Sequence, residues 1–315
     1  MSKEAQVLPV EKSEILFLYE SSYNIPNGDP FTGEQRYDEE TKKILVSDVR
    51  IKRYIRDYLL NKGQDVYVVN DLSAVVEGDK MSGAAARIKA LMKKFKDDKS
   101  IKIKDKEVVD TLKLMQKCID VRLFGGISTE EGNAVNLTGP VQFALLNPSL
   151  NSVDLRMHQN TSVFISSTEK SRGAIGTTTV VPYALNKIHG WINPYSGRET
   201  GLSSVDIKVM LESLWNSVND ANTRTKSNQN SLLLLQIVYS DSAKKLYHLD
   251  KMISLTSKKA TEEQIREFND YSLDFTKLNE AVASDKVKEA LYYTENATLK
   301  EKFKKLGAKY KEIEL

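Results

Sequence analysis

Glu14-Ile15-Leu16-Phe17-Leu18-Tyr19 is a nearly unbroken apolar run of strand length and predicts a buried strand. Tyr23 to Pro30 then turns polar, with two prolines and Asn27-Gly28-Asp29, a tight loop in which Gly28 is free to take a positive φ. The loop continues polar through Arg36, and a short second strand is expected at 43–46. Ser47 and Asp48 have the chemistry of an N-cap and a first-turn acid, so a helix is expected over 47–60. At about 100° per residue, Ile51, Tyr54, Ile55, Tyr58 and Leu59 share one arc, and Arg50, Lys52, Arg53 and Arg56 share the opposite one. The apolar arc packs on a sheet; the basic arc meets solvent or a partner. Gly63 closes the helix and Asp65–Asn70 predicts another strand.

Further on, a basic helix is expected over 82–96, after breaks at Gly78 and Gly83, and a second helix over 106–121, striped by Val108, Val109, Leu112, Met115, Cys118 and Ile119. The charge-rich hinge 97–106 lies between them. Gly125-Gly126 ends the helical pattern, 127–136 is a polar loop, and Thr138–Phe143 opens a strand. Residues 161–165 alternate toward a strand, and Gly173–Val181 is extended chain suited to one arm of a projecting hairpin. Trp191, Pro194, Tyr195 and Gly197 fall in a loop whose aromatics are costly to expose without a purpose. Ser203 and Asp206 form a capping box before a helix over 204–219. The donor-rich loop 220–230 leads into Leu232–Tyr239, a continuous apolar run expected at the centre of a sheet. Beyond 240, Lys- and Glu-rich helices are expected around 261–269 and 285–311. The order of elements predicts an α+β sandwich with long insertions, not a regular βαβ series.

Composition changes this picture little. A chain of 315 residues, 40% hydrophobic, buries a substantial core, while 46 basic against 43 acidic residues leaves a net charge of +3. Any electrostatic footprint is therefore local. The single Cys118 excludes an internal disulfide and a cysteine zinc cluster, which fits an intracellular protein, and no apolar run is long enough to cross a membrane. A cytoplasmic location is expected. His158, His189 and His248 are too dispersed to form a metal motif, and nucleotide-loop and hydrolase signatures are missing. Asp29 alone has the chemistry to hold a metal against a phosphate, so a metal-dependent endoribonuclease stands as one alternative, beside a structural assembly protein without nucleic acid.

Nucleic-acid binding draws on three stretches. They are the basic arc, the loop carrying Thr223, Arg224, Thr225, Lys226, Asn228 and Gln229, and the glycine loop with Asn24, Asn27 and Arg36. Charge mixed with short hydroxyl and amide donors is what phosphate recognition needs. The arm within 173–200 offers Tyr183, Trp191 and Tyr195 to bases or to a neighbour.

Asn24 to Pro30, then Arg36, then Val46 to Tyr58 resemble the N-terminal signature of the CRISPR-associated backbone subunits of type I surveillance (Cascade) complexes, particularly subtype I-B. Thr138–Phe143, the stretch from Ile175 through Pro182-Tyr183, and Thr223–Lys226 before Leu232 follow in that family's order, so the likeness spans most of 14–240. It implies an RNA-recognition-motif-like, ferredoxin-type core over 1–240 with palm, a finger insertion at about 71–136 and a thumb hairpin at about 170–200, plus a helical extension over 241–315. It implies a non-enzymatic scaffold, without cofactor, that polymerises along CRISPR guide RNA. The implied partners are the guide, target DNA through the guide–target duplex, copies of itself, other complex subunits and a recruited nuclease-helicase. Carried over by position, Asn24, Asn27, Arg36, Lys52, Arg53 and Arg56 line the palm, with Arg224 and Lys226 on a second wall. Ile175, Thr177, Val180 and Tyr183 are the thumb or base-wedge candidates. After Ile175-Gly176 the family often has a basic residue; here Thr177-Thr178-Thr179 follow.

Overall fold

The computed structural model describes residues 10–69, 83–101, 103–104, 107–108, 110–128, 134–161 and 175–315. The lead-in 1–9, Asn70, the Gly78 break, Val109, residues 129–133 and the expected strand beyond 161 lie outside the described residues. So do 71–82 of the finger and 170–174 of the thumb.

The chain begins with β1 (Ser13–Asn24), β2 (Tyr37–Asp38), β3 (Lys43–Ser47) and α1 (Asp48–Asn61). An insertion follows with α2 (Ala84–Lys94), β4 (Ile103–Lys104), β5 (Glu107–Val108), α3 (Thr111–Gln116), α4 (Ile119–Phe124), β6 (Gly125–Ser128) and β7 (Val135–Thr138). Next come β8 (Val141–Phe143), β9 (Leu146–Pro148), β10 (Arg156–Thr161), β11 (Ile175–Ile192), α5 (Pro194–Thr200), α6 (Ser204–Asn219) and β12 (Gln229–Tyr239). The last part holds β13 (Ser254–Ser257), β14 (Tyr271–Asp274), α7 (Thr276–Ala283), β15 (Val287–Tyr293), α8 (Ala297–Lys304) and β16 (Tyr310–Glu312).

The principal sheet runs β10-β11-β1-β12-β15-β16, with β8 paired to the far end of β11. Only β15 and β16 are parallel; the other pairs are antiparallel. β1 is central, and Ile15 to Tyr19 are all 0% exposed. Its side chains alternate between two layers, as the period of two requires. Ile15, Phe17 and Tyr19 pack against α1 and α6, where Trp215 meets the Tyr293 ring edge-on at 4.8 Å. Leu16 and Leu18 pack on the opposite face against Leu249, Leu273, Phe275, Leu278 and Phe303. The fold is thus mixed α+β, a central sheet covered on both faces, with helical insertions.

β11 is longer than its partner. Val181 faces Asn24 at the end of β1, and beyond it Ile175–Val180 continues paired only with Arg156–Thr161 among the described residues. This is the projecting arm. Tyr183 to Ile192, expected to project as well, lies within the sheet. Pro194 opens α5 at the first helical position with Asn193 as N-cap, where a loop was expected.

Four further expectations are corrected. The helix over 106–121 is two short helices broken at Cys118, whose backbone is extended. The segment 65–69 is not a strand, because the Asp120 carboxylate takes the amides of Tyr67 (2.7 Å) and Val68 (3.1 Å) that a strand partner would otherwise take. The Lys- and Glu-rich 285–311 contains strand β15, in which Val287, Ala290 and Tyr292 are buried while charged neighbours face outward. Around 261–269 only single 3-10 turns form. The C-terminal part is accordingly mixed rather than helical, and it extends and covers the main sheet.

Candidate nucleic-acid interface

The loop after β1 is held by amides, not by glycine strain. Asn27 is buried; its backbone N–H donates to Gln35 Oε1 (2.9 Å), and its Oδ1 accepts from the N–H of Ser47 (2.7 Å). Gln35 Nε2 donates to the carbonyls of Arg36 (2.8 Å) and Leu45 (3.1 Å). Loop, β3 and the start of α1 are therefore one unit. The left-handed residue of the loop is Gly33 (φ 74°), not Gly28, which bridges Gln35 and has Gly33 O 3.3 Å from where a Cβ would stand. Asp29 Oδ1 accepts from Phe31 N at 2.9 Å, and Oδ2 pairs with Arg36 Nη1 at 3.1 Å. The Phe31 amide bond, with help from Thr32 and Arg36, holds the Asp29 carboxyl below its usual range.

Two clefts flank the exposed side of α1 and share Arg50. The first, about 590 Å³, is lined by the loop at Asn27, Gly28, Pro30 and Arg36, by Asp48, Val49, Arg50 and Arg53, and by Leu145 and Leu146. The second, about 260 Å³, lies between α1 and the 220–226 loop and is lined by Tyr54, Tyr58, Asn222, Thr223 and Lys226. The Arg50 guanidinium stands 5.4 Å over the Tyr54 ring. Arg36 Nε and Arg50 Nε are buried donors without a hydrogen-bond partner among the described residues, as is the acceptor Asp48 Oδ1. Unmet buried donors are uncommon in a folded chain, and here they border the same cleft. Arg224 and Thr223 are exposed, and Arg224 has no ion pair among the described residues. No group of three His, Cys, Asp or Glu is placed to hold a metal among the described residues.

A family model described as "CRISPR-associated protein Cas7" matches residues 11–276. The chain belongs to the Cas7 family of CRISPR-associated proteins. A curated relative, the CRISPR-associated protein Cas7 of Haloferax volcanii, is 25% identical over 299 residues, covering 87% of this chain and 83% of that one. A solved chain titled "CRISPR RNA-guided surveillance complex, pre-nicking" superposes with a TM-score of 0.56 at 14% identity, covering 96% of both chains. A second, titled "CRISPR RNA-guided surveillance complex", gives 0.52 at 13% identity, covering 96% of this chain and 95% of that chain. These two likenesses are of fold. Membership of the Cas7 family carries a general role as an RNA-binding scaffold of such complexes.

Within this Cas7 fold the residues singled out from sequence divide sharply. Asn27, Arg36, Arg50 and Arg53 come together on the first cleft, Thr223 and Lys226 on the second. Most of the basic arc, however, is engaged internally. Lys52 pairs with Asp48 (3.3 Å) and donates to Gln142 Oε1 (2.8 Å), Arg53 pairs with Asp57 (2.8 Å), and Arg56 donates to the wholly buried Asp120 (2.9 Å). Asn24 donates to the carbonyls of Ser227 (2.7 Å) and Asn228 (3.0 Å), and Asn228 returns a bond to Ser22 O (3.1 Å). Gln229 donates to Tyr54 OH (3.0 Å), the Thr225 carbonyl accepts from Ile25 N (2.9 Å), and buried Lys226 donates to Ile25 O. These contacts bind the 223–229 loop to the end of β1. Burial pushes the Lys226 amine down to about 8, with Arg50 adding to the shift.

On the arm, Ile175 pairs with Thr161, Thr177 is exposed and Val180 is half-buried. Tyr183 is not available as a wedge, since it is buried with its hydroxyl on Glu20 and on Tyr271 OH (3.0 Å). Gln35 and the exposed Phe31, Val49, Leu145 and Leu146 escaped sequence reading. Only the adjacency of Leu145 and Leu146, which cannot both face the core of a strand, signalled an outward apolar side chain.

Proposed function

We propose that the chain is a non-enzymatic scaffold subunit that polymerises along CRISPR guide RNA in a Cascade complex of subtype I-B and supports pairing of the guide with target DNA. The observation that carries this reading is the pair of clefts joined at Arg50, where Arg36 Nε and Arg50 Nε lack hydrogen-bond partners among the described residues while Lys52, Arg53 and Arg56 are paired internally. An RNA phosphate in the cleft meets Arg50, which has no ion pair among the described residues, beside Arg36, whose Nη1 holds Asp29 (3.1 Å); it needs no base edge, so sequence is left to pairing. The strand order β10-β11-β1-β12, with α1 between β1 and β10 and α6 between β11 and β12, supports an RNA-recognition-motif-like palm. The arm of β10 and β11, with Met157 73% exposed, is the thumb that enters the guide–target duplex. Asp29 is engaged by Arg36 and two loop amides, an arrangement that suits shaping the loop.

The test is assembly with guide RNA at low salt. The scaffold reading expects particles whose mass grows with guide length, and Arg50→Glu is expected to weaken RNA affinity by about tenfold while lowering the salt slope by about 0.7. A chain that stays monomeric with guide, or an Arg50→Glu protein with unchanged affinity and slope, overturns it. Metal-dependent cuts in the guide or target that vanish in Asp29→Ala would replace it with hydrolysis.

A further inference from the structure

A third cleft lies at the other end of β1, about 35 Å along the strand from Asn24. It encloses about 280 Å³ between Lys12, Ser13 and Glu14, the end of β11 at Trp191, and Asn193, Tyr195, Ser242 and Lys245. Its floor is a closed polar set. Glu14, 1% exposed, receives Tyr239 OH on one oxygen and contacts His189 Nε2 through the other, both at 2.7 Å. Both oxygens are thus occupied by hydrogen bonds. The His189 ring lies 4.2 Å from the Trp191 ring, holding the half-buried indole at the wall.

The rim has the opposite character. Tyr195 is 54% exposed, with its hydroxyl 2.8 Å from Ser242 Oγ. Lys12 Nζ donates to Ser242 O at 3.0 Å, Lys245 is exposed, and neither lysine has a carboxylate partner among the described residues. Asn193 Oδ1 caps α5 through Tyr195 N, which leaves its amide nitrogen for a ligand. Aromatic faces beside unpaired ammoniums suit a flat ring that carries an anion. The volume lies at the small end of ligand sites, enough for one such unit and not for a folded partner.

We propose that this cleft binds a nucleoside monophosphate unit, its base against Trp191 and Tyr195 and its phosphate at Lys12 and Lys245. The unit is either a free nucleotide or the phosphorylated end of a strand. Neither source depends on the α1 groove.

The experiment titrates the full chain into 2-aminopurine riboside monophosphate, whose emission falls when its ring stacks. The expected result is saturable quenching, weaker for the riboside without phosphate. Trp191→Leu is expected to weaken binding about tenfold and Lys245→Ala about threefold. The exposed Lys245 keeps the test open if the Trp191 variant does not fold. Arg50→Glu, on the other groove, is expected to leave the signal unchanged. A short single-stranded RNA ending in phosphorylated 2-aminopurine separates the sources: quenching by that strand alone assigns a strand end, and quenching by the mononucleotide assigns a free ligand. No saturable quenching by either up to about 10 mM, or quenching abolished by Arg50→Glu and untouched by Lys245→Ala, overturns the proposal.

Discussion

Arg56 gives the most direct separation of structural from RNA-binding cations. Its guanidinium side chain is 14% exposed and donates to Asp120 at 2.9 Å, while Asp120 is wholly buried and also accepts from the amides of Tyr67 and Val68. Arg56→Ala removes the only cation on that carboxylate among the described residues and the contact of Arg56 with the Phe124 ring at 5.3 Å. Breaking a buried pair from one side costs about 3–5 kcal/mol. The two amide bonds that Asp120 keeps, and the partial exposure of Arg56, put the expected loss nearer the lower figure, about 3 kcal/mol. Urea unfolding with unchanged slope measures it as a shift of midpoint. RNA affinity, measured where the variant is fully folded, is expected to change by less than about threefold. A stability loss below about 1 kcal/mol with a tenfold loss of RNA affinity would show that Arg56 reaches RNA and that the Asp120 contact is incidental.

Lys226 sets a pH dependence of stability. Its amine is depressed from 10.5 to about 8 in the folded chain, so below about 8 both states are protonated and the full burial penalty is present. As pH rises from about 8 to 10.5 the folded chain releases its proton first, the unfolded chain holds more protons, and this group's contribution grows by up to about 3 kcal/mol. Unfolding of Lys226→Met across that range is expected to lack this rise; an identical rise in the variant assigns it elsewhere. Gly139 stands where a Cβ would lie 2.0 Å from the carbonyl carbon of Phe124, opposite Gly125 at φ 76°. Gly139→Ala is therefore expected to destabilise the α4–β6 junction by more than about 3 kcal/mol, and a calorimetric midpoint within a degree or so of wild type refutes that clash.

The elements legible in the sequence are those whose partners matter least. β1 and β12 follow from continuous apolar runs, α1 from its cap and its Ile51–Leu59 stripe, and α6 from a capping box that the structure reproduces in both directions. Expectations failed where a distant residue decides local structure. Asp120 removes the amides of Tyr67 and Val68 from any ladder, and Cys118 breaks a stripe that is helical by period alone. In β15 the pairing offered by β12 overrides a Lys/Glu-rich composition that favours helix. The same limit applies to the site. Helix geometry directs Arg50, Lys52, Arg53 and Arg56 to one side of α1, but nothing local shows that Gln142 and Asp120 arrive there to meet two of them.

That division accounts for how a chain of net charge +3 can serve RNA. Lys52 and Arg56 join α1 to β8 and α4, and buried Lys226 ties the 223–229 loop to the chain just beyond β1. Cations with internal partners release few counterions on binding, because their charge is already compensated. Arg50 and exposed Arg224 remain, about two phosphate contacts for each copy. On a single strand each neutralised phosphate adds about 0.7 to the salt slope, so one copy contributes about 1.4. Such a copy binds weakly alone, and affinity then comes from neighbours repeating the groove along one strand. The measured slope should therefore climb by about 1.4 with each added copy as the guide is lengthened, while affinity per copy rises with guide length. A slope near 5 for a single copy would mean that the internally paired lysines and arginines open to meet RNA.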